Sequence, residues 1–442
     1  MNVIVPCMRW VPICWRDLLG FFYKNNEGVD DPLSDISTIN NSPPTVIESV
    51  CDPLIEDDPL HILVPDDNPL NKLYVDLPDS IVEDILSRLP AKCIFQCQLL
   101  SKALHALTKT SNFTQMQLNR SNSVTVVQRF PDFDSEYGFI KLYFIDEEYH
   151  NIETKTLDLP SSYKRKDNRI SIVGSHDGIL LFTNFYPWEE PVCYYLWNPV
   201  TNEKLTWCLA FRVISYVCGF YFCSLRREYV LLLVYKVGAR YEFKVLTIKT
   251  EARKDVGSFS YPPSRGRPPV IINKTLYWMV DQVLYKRVHG DWPCYSHLIV
   301  SFEMETEKFI ALAHSGRIGK SVYENMSLHL FELEGALCIC DPISSTELEL
   351  SVLNHKTKCW VKRHTVILPM CGIDKFSEFW RNKNDTEAIC YKKSELLVRQ
   401  KNRLYAYNLH SGTYRIVEMG FVDHPFQATM HVNSLVPLLT IG

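Results

Sequence analysis

At 442 residues with 46% hydrophobic side chains, the chain is long for a single core and suits two or three domains. A net charge of −4 argues against a nucleic-acid or anionic-membrane protein. The charge is unevenly spread: residues 1–76 hold 13 acidic and 4 basic side chains, or −9, which leaves the rest at +5.

The first segment reads as an arm. Asp, Pro, Asn and Ser dominate residues 25–71, a composition that buries too little apolar surface to offset its ordering entropy. Residues 1–75 are therefore expected to be a largely disordered acidic arm. Within it, Trp15, Leu18, Leu19 and Phe22 share one face of a short helix, suited either to docking or to folding back on the body. Helices this short are marginal alone in water. Pro6, Arg9, Pro12 and Arg16 interrupt what a signal peptide would need as a continuous apolar run. No stretch of the chain approaches the ~20 apolar residues of a membrane span.

From Leu77 the apolar period becomes helical. Pro78 suits a first helical position, Asp79, Glu83 and Asp84 favour the positive end of the helix dipole, and Pro90 ends the segment. Ile81, Val82, Ile85, Leu86 and Leu89 form its apolar face. A second helix carries Cys93, Ile94, Cys97 and Leu100. Ser101 caps a third with Leu104 and Leu107, and Asn112 is a candidate cap for a further turn holding Phe113 and Met116. Three helices in about 45 residues supply little core of their own, yet they display more apolar side chains than one mutual interface hides. Either a partner or the following domain covers the rest.

From Ser123 onwards the period is strand-like, which places a domain boundary near 120–122. Units of roughly 40–50 residues recur. The first fits 123–159. Later ones hold Tyr195-Leu196-Trp197-Asn198-Pro199, Tyr229-Val230-Leu231-Leu232-Leu233, Ile271-Ile272-Asn273-Lys274-Thr275, Phe331-Glu332-Leu333-Glu334-Gly335 and Glu395-Leu396-Leu397-Val398. Asn, Asp, Gly and Pro supply the turns between strands. Several short strands at this period predict a β-propeller of about six blades, with 432–435 pairing to the first blade to close the ring. Trp197, Trp278 and Trp360 are expected in blade packing, and His176-Asp177 in a turn.

Two sets of phrases resemble a known family. Leu77-Pro78, Ile85-Leu86-Ser87-Arg88-Leu89-Pro90, Leu100-Ser101-Lys102 and Leu118-Asn119-Arg120 resemble the plant F-box pattern of a leading Leu-Pro, "ILSRLP", "VSK" and "LNR". Leu104 stands where the family often has Trp, and Gln96-Cys97-Gln98-Leu99-Leu100 where it has "RFRCV". The run from Gly174 to Phe182, then Leu196-Trp197-Asn198-Pro199-Val200-Thr201, the run from Phe302 to Phe309 and Ser434-Leu435-Val436 are similar, in order, to phrases of the F-box-associated propeller of plant proteins.

The resemblance implies a multidomain α+β protein: an all-α F-box at 76–120 and an all-β propeller at 121–442. It implies the substrate-recognition subunit of a ubiquitin ligase built from a Skp-type adaptor, a cullin and a RING subunit. The implied adaptor-binding residues are Leu77, Pro78, Ile81, Val82, Ile85, Leu86, Leu89 and Pro90, and the implied location is cytoplasmic or nuclear. Helix-face anchors clustered in one patch are the usual source of such binding energy.

The residues themselves indicate no chemistry. GxSxG, HExxH, P-loop and paired-cysteine motifs are absent, and the 13 histidines lack metal spacing, so neither catalyst nor cofactor is expected. Fifteen cysteines without a CxxC read as buried free thiols of a reducing compartment. Protein substrate would be held by three segments rich in aromatics or Arg, the alternative being that these fold onto the body. These are 184–191 with Phe185, Tyr186 and Trp188, 261–269 with Arg265 and Arg267, and 376–385 with Phe379, Trp380 and Arg381. Two other classes remain: an interaction scaffold outside any ligase, and a propeller enzyme with an incidental helical prefix.

Overall fold

Helices occupy the chain from Asp79 to Arg120 and strands take over at Ser123. A computed structural model describes residues 78–129, 139–146, 148, 151–158, 170–184, 192–209, 215–238, 240–264, 267–294, 297–313, 327–354, 356–370, 386–419 and 426–438. The N-terminal arm, with its Trp15–Phe22 pattern, lies outside them.

The helical module has α1 (Asp79–Ser87), α2 (Ala91–Cys97), α3 (Lys102–Thr108) and α4 (Ser111–Arg120). Ser101 caps α3 as its sequence position suggests, its Oγ accepting from the Ala103 amide at 3.2 Å. The last piece is a ten-residue helix rather than a single turn, and its cap is Thr110, whose Oγ1 accepts from Phe113 N at 3.2 Å. Ile94 and Phe113 are wholly buried, with Val82, Leu86 and Ala91 beside them. Each of the four larger side chains contributes roughly 1.5–3 kcal/mol by leaving water.

Arg120, the last residue of α4, ties the module's ends together. Its Nη2 meets Asp84 Oδ1 at 2.7 Å, and its Nη1 donates to the Asp84 carbonyl at 3.0 Å and to Ser87 Oγ. The Arg120 hydrogen bond, helped by Arg88, holds the Asp84 carboxyl below its ordinary range. This gives the "LNR" phrase a physical role.

Among the described residues, twenty-four strands form six four-stranded antiparallel sheets. Blade 1 contains β1 (Ser123–Arg129), β2 (Phe139–Ile145) and β3 (Ile152–Asp158). Blade 2 contains β4 (Ile170–His176), β5 (Ile179–Asn184), β6 (Val192–Trp197) and β7 (Lys204–Leu209). Blade 3 contains β8 (Ser215–Cys223), β9 (Glu228–Val237), β10 (Arg240–Thr247) and β11 (Arg253–Phe259). Blade 4 contains β12 (Val270–Ile272), β13 (Thr275–Met279), β14 (Ile299–Glu303) and β15 (Lys308–Leu312), with helix α5 (Gln282–His289) inserted between β13 and β14. Blade 5 contains β16 (His329–Leu333), β17 (Ala336–Pro342), β18 (Glu347–Asn354) and β19 (Cys359–Ile367). Blade 6 contains β20 (Thr386–Lys392), β21 (Glu395–Gln400), β22 (Arg403–Asn408) and β23 (Tyr414–Val417).

The missing strand of blade 1 comes from the other end of the chain. β24 (Phe426–Val432) pairs with β1 from Ser123↔Val432 to Arg129↔Phe426. Closure is as expected, but the pairing strand precedes 433–438, which does a different job. Ser434 Oγ donates to the Asp177 carbonyl, and Asn198 Nδ2 donates to the carbonyls of Ser434 (3.2 Å) and Val436 (2.8 Å). Asn198 Oδ1 accepts from Val200 N at 2.9 Å, so the Asn of the "LWNPxT" phrase is a buried clamp on the C-terminal tail.

Blades stack face to face, so their second and third strands are covered on both sides. That is why β9 buries seven consecutive residues, Tyr229 to Tyr235, instead of alternating. The outermost strands β11 and β19 are mostly exposed and polar. Trp197 and Trp278 are buried as expected (each 3% exposed), whereas Trp360 is only half-buried and donates to the Ala313 carbonyl. The run from Gly174 to Phe182 is a hairpin of β4 and β5. Asp177 (φ +48°) and Gly178 (φ +86°) make its turn, and a Cβ at 178 would collide with Ser434 Oγ, so only glycine fits. Free thiols are the rule among the described cysteines, several deeply buried. Cys193 is the correction: it is disulfide-bonded, and Cys208 stands opposite it in register on β7. Cross-strand neighbours carry no sequence spacing that a CxxC search detects.

Candidate functional site

Strand direction defines two ends of the propeller. β24 finishes at Val432 and β1 begins at Ser123, beside the Asp177–Gly178 turn. The helical module therefore joins the propeller at this proximal end. Leu118 of α4 packs on the cluster of Ile179, Leu181, Tyr194, Val436 and Leu438, and Lys92 meets Glu153 at 2.8 Å. The latter pair is exposed and contributes little.

The positions implied for adaptor binding divide by exposure. Pro78, Ile81 (45%) and Pro90 are exposed, and Ile85 and Leu89 are half-buried. Val82 and Leu86 turn inward, 9% and 8% exposed, because the α1 face they share packs on α4. Leu77 lies outside the described residues. The structure adds Leu99 (75% exposed) and Leu100 (37%). Both sit where the family pattern has "RFRCV", and their exposure on a helical module is the signal that sequence reasoning left unused. The apolar patch is thus kept there even though two basic residues are not.

The three segments chosen for substrate leave from the opposite, distal end. The segment 185–191 joins β5 to β6, 260–269 joins β11 to β12, and 368–385 joins β19 to β20. Phe185, Tyr186, Trp188, Arg265, Phe379, Trp380 and Arg381 lie outside the described residues. Arg267 is placed, and it sits in a cluster. Its Nε is 3.2 Å from Glu387 Oε1, and Arg399 Nη2 is 2.9 Å from Glu387 Oε2. Burial alone would raise the Glu387 carboxyl, but the charges of Arg267 and Arg399 outweigh it and hold it down to about 2. His329 is 1% exposed, and its Nε2 accepts from Ala388 N at 2.7 Å. Burial, reinforced by Arg267, pushes its pKa down to about 3, so it is neutral.

A cavity of about 300 Å³ lies at this end between blades 4 and 5, lined by Arg267, Val270, Tyr277, Asp281, Leu330 and His329 among others. Helix α5 starts on its wall. Asp281 is the N-cap, its Oδ1 accepting from Leu284 N at 2.8 Å, and Gly290 (φ +86°) ends the helix. That helix went unread in the sequence, although a capping Asp, a closing Gly and the basic last turn Lys286-Arg287-His289 are its ordinary signals. Among the described residues no group of three or more His, Cys, Asp or Glu side chains could hold a metal. Among them, too, no helix is long and apolar enough to cross a membrane.

With this geometry in hand, known families can be compared. Residues 75–116 match the F-box domain, and residues 133–437 match the F-box associated beta propeller domain. The chain belongs to the plant F-box proteins with an F-box-associated propeller. Its relatives include three F-box proteins of Arabidopsis thaliana. At1g71320 is 21% identical over 70% of this chain and 88% of its own length. At3g07870 is 22% identical over 81% and 91%, and At5g65850 is 26% identical over 67% and 72%. Among solved structures, a chain of the nidogen/laminin complex is matched at 14% identity and a TM-score of 0.38, over 70% of this chain and 98% of that one. That likeness is too slight to carry an argument. The F-box and its propeller together fit a protein that recognises substrates.

Proposed function

We propose that the chain is the receptor subunit of a Skp–cullin–F-box ubiquitin ligase. The F-box docks the adaptor through Ile81, Leu99, Leu100, Pro78 and Pro90, with Ile85 and Leu89 at the rim. The distal end of the propeller holds the protein to be modified. Rate acceleration then comes from proximity within the assembly, and no residue of this chain need react. Work in the cytoplasm or nucleus follows from that role.

The observation that carries the reading is the separation of two surfaces. An exposed apolar patch belongs to the helices at the proximal end, and the segments dense in aromatics leave from the distal end. Adaptor and substrate would therefore not compete for space.

The test is capture of the full chain by the adaptor, alongside the double variant Ile81→Asp, Leu99→Asp. Binding by the unmutated chain and its loss in the variant are expected. Failure of the unmutated chain to bind overturns the receptor reading, and equal binding by the variant overturns the choice of face. Replacing Phe185, Tyr186 and Trp188 by Ser is expected to weaken substrate capture from plant extract and leave adaptor capture unchanged. Loss of both, or of neither, contradicts the assignment of ends.

A further inference from the structure

Gln282 opens helix α5 and is 6% exposed, yet its amide makes no hydrogen bond to another described residue. Neither amide atom is sealed off, however, and the side chain lies on the wall of the distal cavity. A polar group this deep without a partner favours a ligand that pairs with it.

Two more polar groups share that wall. Asp281 uses Oδ1 to cap α5, and its Oδ2 has no partner among the described residues. Ser264 is held close by. Its N donates to the Met279 carbonyl and Asp281 N donates to the Pro262 carbonyl, each at 2.8 Å, around the Pro263↔Val280 bridge. The Ser264 Oγ is likewise without a partner among the described residues. Arg267 and His329 are occupied instead, the first by Glu387 and the second by the Ala388 amide. Val270 and Leu330 supply an apolar side. The volume of about 300 Å³ equals about ten waters, room for one long side chain with some adjoining backbone.

The wall discriminates between ligand chemistries. A carboxylate entering there would meet the carboxylate of Asp281. A cation would share the wall with the Arg267 guanidinium and leave the Gln282 donor unpaired. A hydrocarbon would leave all three polar groups unpaired. A primary amide donates and accepts at once, and so answers both Asp281 and Gln282.

We infer that the cavity is the subsite for a glutamine side chain of the bound protein. Its amide nitrogen donates to Asp281 Oδ2 and Ser264 Oγ, its carbonyl accepts from Gln282 Nε2, and its methylenes lie on Val270 and Leu330. The inference rests on the receptor reading and names one residue of the substrate. Adaptor capture, measured on the same preparation, tests the receptor reading alone. Capture without a glutamine preference contradicts only this inference, and a glutamine preference without capture contradicts only the receptor reading.

The ligands for the test are acetylated alanine peptides with one central glutamine, glutamate, lysine or norleucine, each ended by an N-methylamide. They are titrated against the full chain by saturation-transfer NMR. The glutamine peptide is expected to bind about tenfold more tightly than the other three, the worth of one or two neutral hydrogen bonds. Gln282→Leu keeps the bulk and should bring the glutamine peptide level with the norleucine one. Asp281→Asn keeps a good helix cap, and should weaken the glutamine peptide severalfold while the glutamate peptide gains. A general loss of structure would not produce that exchange. Equal binding of the norleucine peptide overturns the inference, as do tighter binding of the lysine peptide, binding of none of the four, or indifference to both variants. Free propionamide binding as tightly as the glutamine peptide would assign the cavity to a small amide and equally overturn it.

Discussion

At the proximal end of the propeller, strands are joined by turns of two to six residues that carry one aromatic residue, Tyr149. At the distal end the joins reach nineteen residues and carry seventeen Phe, Tyr and Trp residues. The proximal turns are fixed by backbone chemistry instead: Asp177, Asn202, Arg227 and Glu334 all have positive φ. Tight turns of this kind hold register and resist insertion, whereas long aromatic-bearing joins present contact area. One fold therefore separates an end of tight turns, which carries the F-box, from an end whose joins are longer and richer in aromatics.

Breaking the end of tight turns should cost the most stability. Gly178→Val combines a left-handed φ with a collision at Ser434 and is expected to lower unfolding free energy by on the order of 3 kcal/mol, read by urea titration. Asn198→Ala frees the carbonyls of Ser434 and Val436 from their only described side-chain donor and should cost about 2 kcal/mol.

Acid sharpens the comparison from the interior. His329 and His431 are buried, with pKa values depressed to about 3 from the ordinary 6.5. The unfolded chain takes up those protons first, so stability should fall as pH drops below about 6.5, by up to ~1.4 kcal/mol per pH unit per histidine. Glu387, held down to about 2, adds a further loss that begins near its ordinary 4.5 and continues towards 2. Glu387→Gln should flatten the second limb and leave the first, as followed by thermal unfolding across pH. The smallest stability effect belongs to the F-box patch. Leu99 is 75% exposed, so Leu99→Asp should leave the melting temperature unchanged within about 2 °C while adaptor binding falls by about tenfold or more.

Much of this architecture was legible because its signals are local. The repeat period, the turn residues and the F-box phrases are contiguous, and they located the blades and the helices. What escaped was set by tertiary contact. Which face of α1 turns inward depends on α4, so Val82 and Leu86 could not be separated from Ile81 by spacing alone. Asn198 and Ser434 are 236 residues apart, and nothing in either phrase reveals that one clamps the other's segment. Arg267 was noticed for its loop, but its partner Glu387 comes from another blade, and only the ring brings the two together.

The central claim is that the two ends have separate partners, and hydrogen exchange on the adaptor complex tests it most directly. The account predicts slowed exchange in α1 and in the amides near Leu99 and Leu100, with no change at the distal ends of β5, β12 and β20. Protection at those distal ends, or none in the helices, would contradict it.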